Sequence, residues 1–327
     1  MTRHSVIIGT GSYLPSRVVT NDELAQTVDT SDKWIRTRTG ICQRHIAEKD
    51  QLTSDLAYEA GLRALNAANV SASDLDAIIV ATTTPDNTFP ATAAKVQAKL
   101  GNKGCAAFDL QAVCSGFIYA LSVADNMIRA GQAAHVLIIG AEKFSCMLDW
   151  NDRTTCVLFG DGAGAVVLKS ADGAPETIRD GNNGILSTHL HSDGSKFDIL
   201  YADGGVATTQ TAGVVKMSGK EVFKHAVVNL AAVANEALEA NGYTKEDIDW
   251  LVPHQANKRI IDGTGKKLGL PAEKVVVTVD RHANTSAASI PLALDEAVRD
   301  GRIQPGNLVL MESMGAGMSW GSCLLRW

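Results

Sequence analysis

The chain has no run approaching the roughly 18 uninterrupted apolar residues that a membrane-crossing helix needs, and its opening stretch, MTRHSVIIGTGSYLPSR, lacks a signal peptide's apolar core. It also lacks an excess of positive charge, since 30 basic against 36 acidic residues give a formal charge of −6. Nucleic-acid wrapping and binding to an anionic membrane through bulk charge are therefore disfavoured, and a cytosolic location is expected. None of the six cysteines forms a Cys-x-x-Cys pair, which argues against a zinc site or a redox dithiol; free thiols are expected. What is present is 327 residues with 45% hydrophobic content, enough to bury a large core.

Self-comparison divides the chain into two similar halves. Residues 64–67 and 74–80 match 237–240 and 247–253 at a constant shift of 173, and Lys99-Leu100-Gly101 matches Lys267-Leu268-Gly269 at 168. Segments opening at Cys114 and Asn284 end at Gly131 and Gly301, a shift of 170 at both ends. In the first copy the periodicity predicts helix 53–68, strand 77–81, helix 92–100, strand 106–110 and helix 115–130. In the second it predicts helix 219–241, strand 250–253, helix 258–268, strand 275–279 and helix 285–299. Strands alternating with helices imply an α/β fold built on parallel sheet. Residues 1–170 and 215–327 are read as the halves, and 171–214 as connecting loops and short strands. The site is expected where equivalent strand ends meet.

The equivalent third-helix starts carry Cys114 in one half and Asn284 in the other. Free N–H groups at a helix start favour a thiolate, so the Cys114 thiol is expected below its ordinary pKa of about 8.5 and placed to act as a nucleophile. Ser115 and Gly116 leave room for a substrate carbonyl beside the sulfur. His254 ends the strand equivalent to the one ending at Ala81, which puts it on the same side of the sheet as Cys114. Asn284 is as readily a helix cap as a partner of His254. Gly315 and Gly317 permit backbone angles that aim N–H groups at a developing oxyanion.

With these residues in place, the chain resembles the β-ketoacyl-[acyl-carrier-protein] synthase III enzymes of the thiolase-like superfamily. The likeness is carried by Gly9-Thr10-Gly11-Ser12-Tyr13-Leu14-Pro15, Trp34-Ile35-Arg36-Thr37-Arg38-Thr39-Gly40-Ile41, the Cys114 turn, Phe159-Gly160-Asp161-Gly162-Ala163-Gly164-Ala165, Pro253-His254-Gln255-Ala256-Asn257, Asn284-Thr285-Ser286-Ala287-Ala288-Ser289 and Gly317-Met318-Ser319-Trp320-Gly321.

The resemblance implies a layered α/β/α/β/α fold and a triad of Cys114, His254 and Asn284. Cys114 would take an acyl group from acyl-CoA, with acetyl-CoA the expected primer. Malonyl carrier protein would then lose carbon dioxide, and its carbanion would attack the thioester. His254 and Asn284 would stabilise the enolate, and the backbone N–H groups of Cys114 and Ala316 the oxyanion. The same resemblance puts Trp34, Arg38, Arg153, Gly219 and Asn257 along the CoA and pantetheine path. Lys224, Arg259, Lys266 and Lys267 would meet the acidic carrier protein. Phe89 would reach from one subunit of a homodimer into the partner's acyl pocket, lined also by Met147, Leu148 and Met314. Met314 replaces a frequent aromatic, which implies a softer pocket. No cofactor and no metal are expected.

Rival readings fit the residues less well. Gly9-Thr10-Gly11 lacks the third glycine of a dinucleotide loop, because Leu14 and Pro15 follow. Gly160-Asp161-Gly162-Ala163-Gly164 lacks the Lys-Ser/Thr of a phosphate loop and runs into a predicted strand at 165–168. His189 and His191 would share one strand face, as metal ligands can, but no third ligand stands near them in sequence. A thiolase would need a second cysteine near the last glycine loop, and Cys323 lies beyond it. A condensing enzyme of secondary metabolism and a non-catalytic acyl-CoA-binding subunit complete the alternatives, the second of which should lack part of the triad.

Overall fold

Every residue of β4 (Ala77–Ala81) is apolar and buried. Ala77, Ile79 and Ala81 pack into one core, and Ile78 and Val80 into another, the two-residue period of a pleated strand. Such double burial belongs to a central strand covered by helices on both faces. The computed structural model describes residues 2–173, 178 and 182–327.

Around β4 runs a five-stranded sheet. β5 (Ala106–Leu110) and β6 (His135–Glu142) flank β4 in parallel, and the sheet continues antiparallel through β7 (Gly162–Asp172) to β1 (Arg3–Tyr13). The second sheet repeats this plan with four strands: β11 (Trp250–Pro253) parallel to β12 (Leu308–Gly315), then antiparallel β13 (Ser319–Arg326) and β8 (Gly184–Ser192). Two short antiparallel pairs complete the strands, β2 (Arg17–Thr20) with β3 (Gln43–Ile46) and β9 (Leu200–Ala202) with β10 (Val215–Met217). The expected parallel sheets are therefore mixed, with parallel pairing at β4 and β11 and antiparallel pairing beyond.

Helices form three layers around the sheets. α2 (Thr53–Ala68) and α3 (Thr92–Leu100) cover the outer face of the first sheet through Leu56, Ala60, Ala93 and Val96. α5 (Gly219–Asn241) and α6 (Lys258–Leu268) cover the second through Ala234, Ala237, Leu238 and Leu268. α4 (Gly116–Arg129) and α7 (Ser289–Arg299) lie between the sheets, where Phe117, Leu121, Ile290 and Leu294 join residues from both in one core. The expected α/β/α/β/α layering results. α1 (Asp32–Thr39), capped by Ser31, stands beside it and carries Trp34 and Arg38. No helix among the described residues is long and apolar enough to cross a membrane.

Three expectations change. Residues 275–279 form no strand; only Val275 bridges Leu251. The cause is the buried Gln255 side chain, whose Oε1 accepts from the Thr278 and Val279 N–H groups while Nε2 donates to the carbonyls of Pro253 and Val276. Backbone groups that a strand ladder would pair are satisfied by one carboxamide instead. Both central helices also start later than predicted, after the 3₁₀ turns Val113–Ser115 and Ser286–Ala288. Val113 and Ser286 hold φ of 48° and 51°, so the first residue of each turn departs from α geometry and the regular helix begins only after it. Finally, the stretch 171–214 includes the nine-residue β8, which joins the second sheet; its residues 174–177 and 179–181 lie outside the described ones.

The two halves meet at very close range. A methyl group built on Gly140 of β6 would lie 2.3 Å from the Ala287 carbonyl oxygen, in the turn that starts α7. Gly140→Ala is therefore expected to destabilise the fold by about 3 kcal/mol, read as a lowered denaturant midpoint. An unchanged midpoint would contradict this packing.

Candidate active site

Cys114 occupies the middle of the turn ahead of α4. The left-handed φ of Val113 is costly for a β-branched residue, so other contacts must hold the turn. Hydroxyl bonds to the second half do so. Ser313 donates to the Cys114 carbonyl at 2.7 Å, Ser115 to the Ser319 carbonyl at 2.9 Å, and Ser319 to the Ala112 carbonyl at 3.2 Å. Gly315 backs directly on the turn, because a methyl group there would lie 2.8 Å from the Cys114 nitrogen.

His254 follows β11 and is anchored by its backbone N–H, which donates to the Glu312 carbonyl at 2.8 Å. Its Nδ1 lies 2.6 Å from Ser289 Oγ, at the first residue of α7. Burial alone lowers its pKa to about 3, so the imidazole is neutral near pH 7. Asn284 is held by backbone bonds to Leu158 and Gly160, and its Oδ1 accepts from the Ser286 N–H at 2.8 Å. With Oδ1 occupied, the amide's donor end is the part available to a ligand.

Cys114, His254 and Asn284 line one cavity of about 570 Å³. Its apolar wall includes Leu158, Met217, Phe223, Leu230, Ile260 and Met314, and its mouth includes Trp34, Arg38, Lys220 and Arg259. A second chamber of about 50 Å³ shares Cys114 and is walled by Phe144, Met147, Phe159, Leu200, Val215 and Ala316. Phe144 and Phe159 stack there with ring centres 4.2 Å apart.

The thiol itself departs from expectation. Cys114 is buried, and desolvation raises its pKa to about 12, outweighing a hydroxyl interaction from Ser286 that acts the other way. The helix start does not yield a resident thiolate. Because the ionised fraction below the pKa grows tenfold per pH unit, alkylation of Cys114 by iodoacetamide should accelerate about tenfold per unit from pH 7 to 10. A plateau near pH 8 would contradict the burial.

The other sequence-predicted positions separate into distinct places. Gly219 and Asn257 line the large cavity, and Asn257 also caps α6 through Oδ1 to the Ile260 N–H. The guanidinium groups of Arg38 and Arg153 lie 4.9 Å and 5.3 Å from the centre of the Trp34 ring. Arg153 does not line the cavity and is held by Asp29. Arg259 lies over Phe223 at the mouth, whereas Lys224, Lys266 and Lys267 are exposed on α5 and α6. Of the acyl-pocket candidates, Met147 lines the small chamber and Met314 the large cavity instead. Leu148 is buried beside Met147 and lines neither. Phe89 is 83% exposed and lines neither chamber of its own chain.

Sequence reading missed Ser289, Ser313 and Lys220. It also missed Glu142, a buried carboxyl pushed up to about 7 by desolvation, which accepts bonds from Thr82, Thr83 and Thr84. The turn at Asp161 is structural: its carboxylate accepts from the Ala47 and Ser145 N–H groups and the Ser145 hydroxyl. His189 and His191 share the carboxylate of Glu236. Among the described residues, no group of three or more histidine, cysteine or acidic side chains is arranged to hold a metal.

Two duplicated lobes in five layers, with a cysteine, a histidine and an asparagine opening on one cavity at their junction, define a thiolase-like condensing enzyme. Comparison with known proteins narrows the class. Residues 108–194 match the model of 3-oxoacyl-[acyl-carrier-protein] synthase III, and residues 238–327 match its C-terminal model. The chain is 66% identical to a β-ketoacyl-[acyl-carrier-protein] synthase III of Paramagnetospirillum magneticum, each covered in full, and 58% identical to one of Xanthomonas campestris over 99% of this chain and 98% of the relative. A crystal structure of 3-oxoacyl-[acyl-carrier-protein] synthase III from Aquifex aeolicus superposes with a TM-score of 0.93 at 48% identity, covering 99% of this chain and 100% of that one. The chain belongs to the β-ketoacyl-[acyl-carrier-protein] synthase III family.

Proposed function

We propose that the protein joins an acyl-CoA primer to malonyl carrier protein, with loss of carbon dioxide, to give a β-ketoacyl carrier product that starts fatty-acid synthesis. The observation that carries this reading is the cavity shared by Cys114, His254 and Asn284. Cys114 sulfur attacks the primer thioester, the new S–C bond forms as the S–C bond to CoA breaks, and the thiol proton ends on the released CoA. The backbone N–H groups of Cys114 and Ala316 hold the oxyanion. After CoA leaves, malonyl carrier protein enters; loss of carbon dioxide leaves an enolate whose oxygen accepts from the neutral His254 ring and the Asn284 amide. The enolate carbon attacks the acyl thioester, the new C–C bond forms as the C–S bond to Cys114 breaks, and the expelled thiolate takes up one proton from solvent. This chemistry asks for no cofactor.

The CoA adenine stacks at Trp34, with Arg38 and Arg153 meeting phosphate groups. Gly219 and Asn257 flank the pantetheine arm. Lys224, Arg259, Lys266 and Lys267 meet the acidic carrier protein, reconciling a cationic dock with a net charge of −6. The exposed Phe89 supports a homodimer in which it enters the partner's acyl pocket.

The small chamber bears on the primer. About 50 Å³ walled by Phe144, Met147 and Phe159 accommodates an acetyl methyl but not a medium chain. Since each poorly fitted methylene is costly, kcat/KM for acetyl-CoA should exceed that for octanoyl-CoA by about 100-fold or more. Competition between the two primers, read by mass spectrometry of the carrier product, tests this; an octanoyl preference would contradict it.

A further inference from the structure

We propose that Ser289 is a positioning residue that fixes the His254 tautomer, so that the Nε2 proton points into the cavity. The inference rests on the role given to His254 above and extends it, because an imidazole can donate to an enolate only from the nitrogen that carries the hydrogen.

The argument is a count of hydrogens. Ser289 is 2% exposed, and its Oγ has two partners among the described residues: the Gln255 N–H at 3.3 Å and His254 Nδ1 at 2.6 Å. The Gln255 amide can only donate, so it uses one lone pair of the oxygen. If Nδ1 also donated, the hydroxyl hydrogen would be left buried without an acceptor, at a cost of about 1–3 kcal/mol. If Nδ1 accepts, every group is satisfied. The hydroxyl then donates to Nδ1, and the single imidazole hydrogen resides on Nε2.

Two features keep this relay in place. Ser289 is the first residue of α7, the helix packed between the sheets, and its backbone is fixed by that core. Gln255, adjacent to His254, is itself locked by four side-chain bonds to Pro253, Val276, Thr278 and Val279, so its N–H cannot swing away from the hydroxyl. No ionised group takes part, which suits an imidazole that must stay neutral; a carboxylate at Oγ would favour imidazolium.

The test is the ¹⁵N spectrum of histidine-labelled protein, with the His254 signals assigned by comparison with His254→Ala. The wild type should show protonated Nε2 and unprotonated Nδ1. Ser289→Ala should shift both nitrogens toward a tautomer mixture, and Ser289→Cys, which keeps a weaker donor, should lie between. In activity, Ser289→Ala should lower malonyl decarboxylation about tenfold or more while leaving the rate of Cys114 acylation within about twofold. A wild-type Nδ1–H tautomer, or His254 signals unmoved in Ser289→Ala, would overturn the proposal. So would an equal loss of acylation and decarboxylation, which marks a structural role only. The underlying functional reading fails separately, if His254→Ala retains condensation, whatever the tautomer.

Discussion

Cys114→Ala should abolish covalent acylation and lower condensation by at least about 10³-fold. The sulfur is the atom that must carry the primer between two substrates, and a methyl group cannot form the thioester. The fold should survive. Cys114 is only 5% exposed, and the turn around it is held by backbone carbonyls that accept from Ser313 and Ser319, none of which involves the thiol. His254 and Asn284 stay in place, so slow decarboxylation of malonyl carrier protein should persist without product. Loss of acylation together with loss of the folded state would leave the sulfur unassigned, and the thermal midpoint of the variant is therefore measured alongside; a folded variant that still condenses refutes the role of Cys114.

His254→Ala should separate the two half-reactions in the opposite sense. Removing an enolate donor in a desolvated cavity costs about 10²–10³ in rate, so decarboxylation and condensation fall together while acylation of Cys114 changes little. The wild-type pH profile follows from the same burial. A depressed pKa means that the proton is bound only near pH 3, not near the ordinary 6.5, so activity should show no loss from His254 protonation as pH falls from 8 to 5. Stability behaves differently: the neutral buried ring contributes fully above about 6.5, and that contribution falls away progressively as pH drops from there toward 3, even while the folded ring stays neutral. An activity titration centred near 6.5 and absent in His254→Ala would contradict a buried neutral imidazole.

Much of this arrangement is readable from residues close in sequence. The helices at 53–68, 92–100, 219–241 and 258–268 are marked by apolar stripes, and three of the four by a glycine just past the end, where Gly101, Gly242 and Gly269 adopt left-handed φ values of 73°, 68° and 71°. Strand ends of a duplicated unit then place Cys114, His254 and Asn284 on one side of the molecule without any contact being seen. Features set by distant partners are not readable. Residues 275–279 have strand composition, yet the Gln255 side chain some 20 positions away takes their backbone bonds. The helix start at Cys114 argues for a thiolate, but enclosure by both lobes reverses the sign. Ser289 looks like an ordinary helix-start serine; only folding brings it, 35 positions away, to His254. The resemblance puts Leu148 and Met314 along an acyl pocket; where each side chain faces is set by packing, which places Leu148 in a core cluster and Met314 on the larger cavity.

The most direct measurement is the intact mass of the protein after mixing with acetyl-CoA and again after adding malonyl carrier protein, with peptide mapping of the modified site. One acetyl group should appear on Cys114 and disappear as β-ketoacyl carrier product forms. An acetyl group on any other residue, or one on Cys114 that malonyl carrier protein leaves in place, would contradict the account.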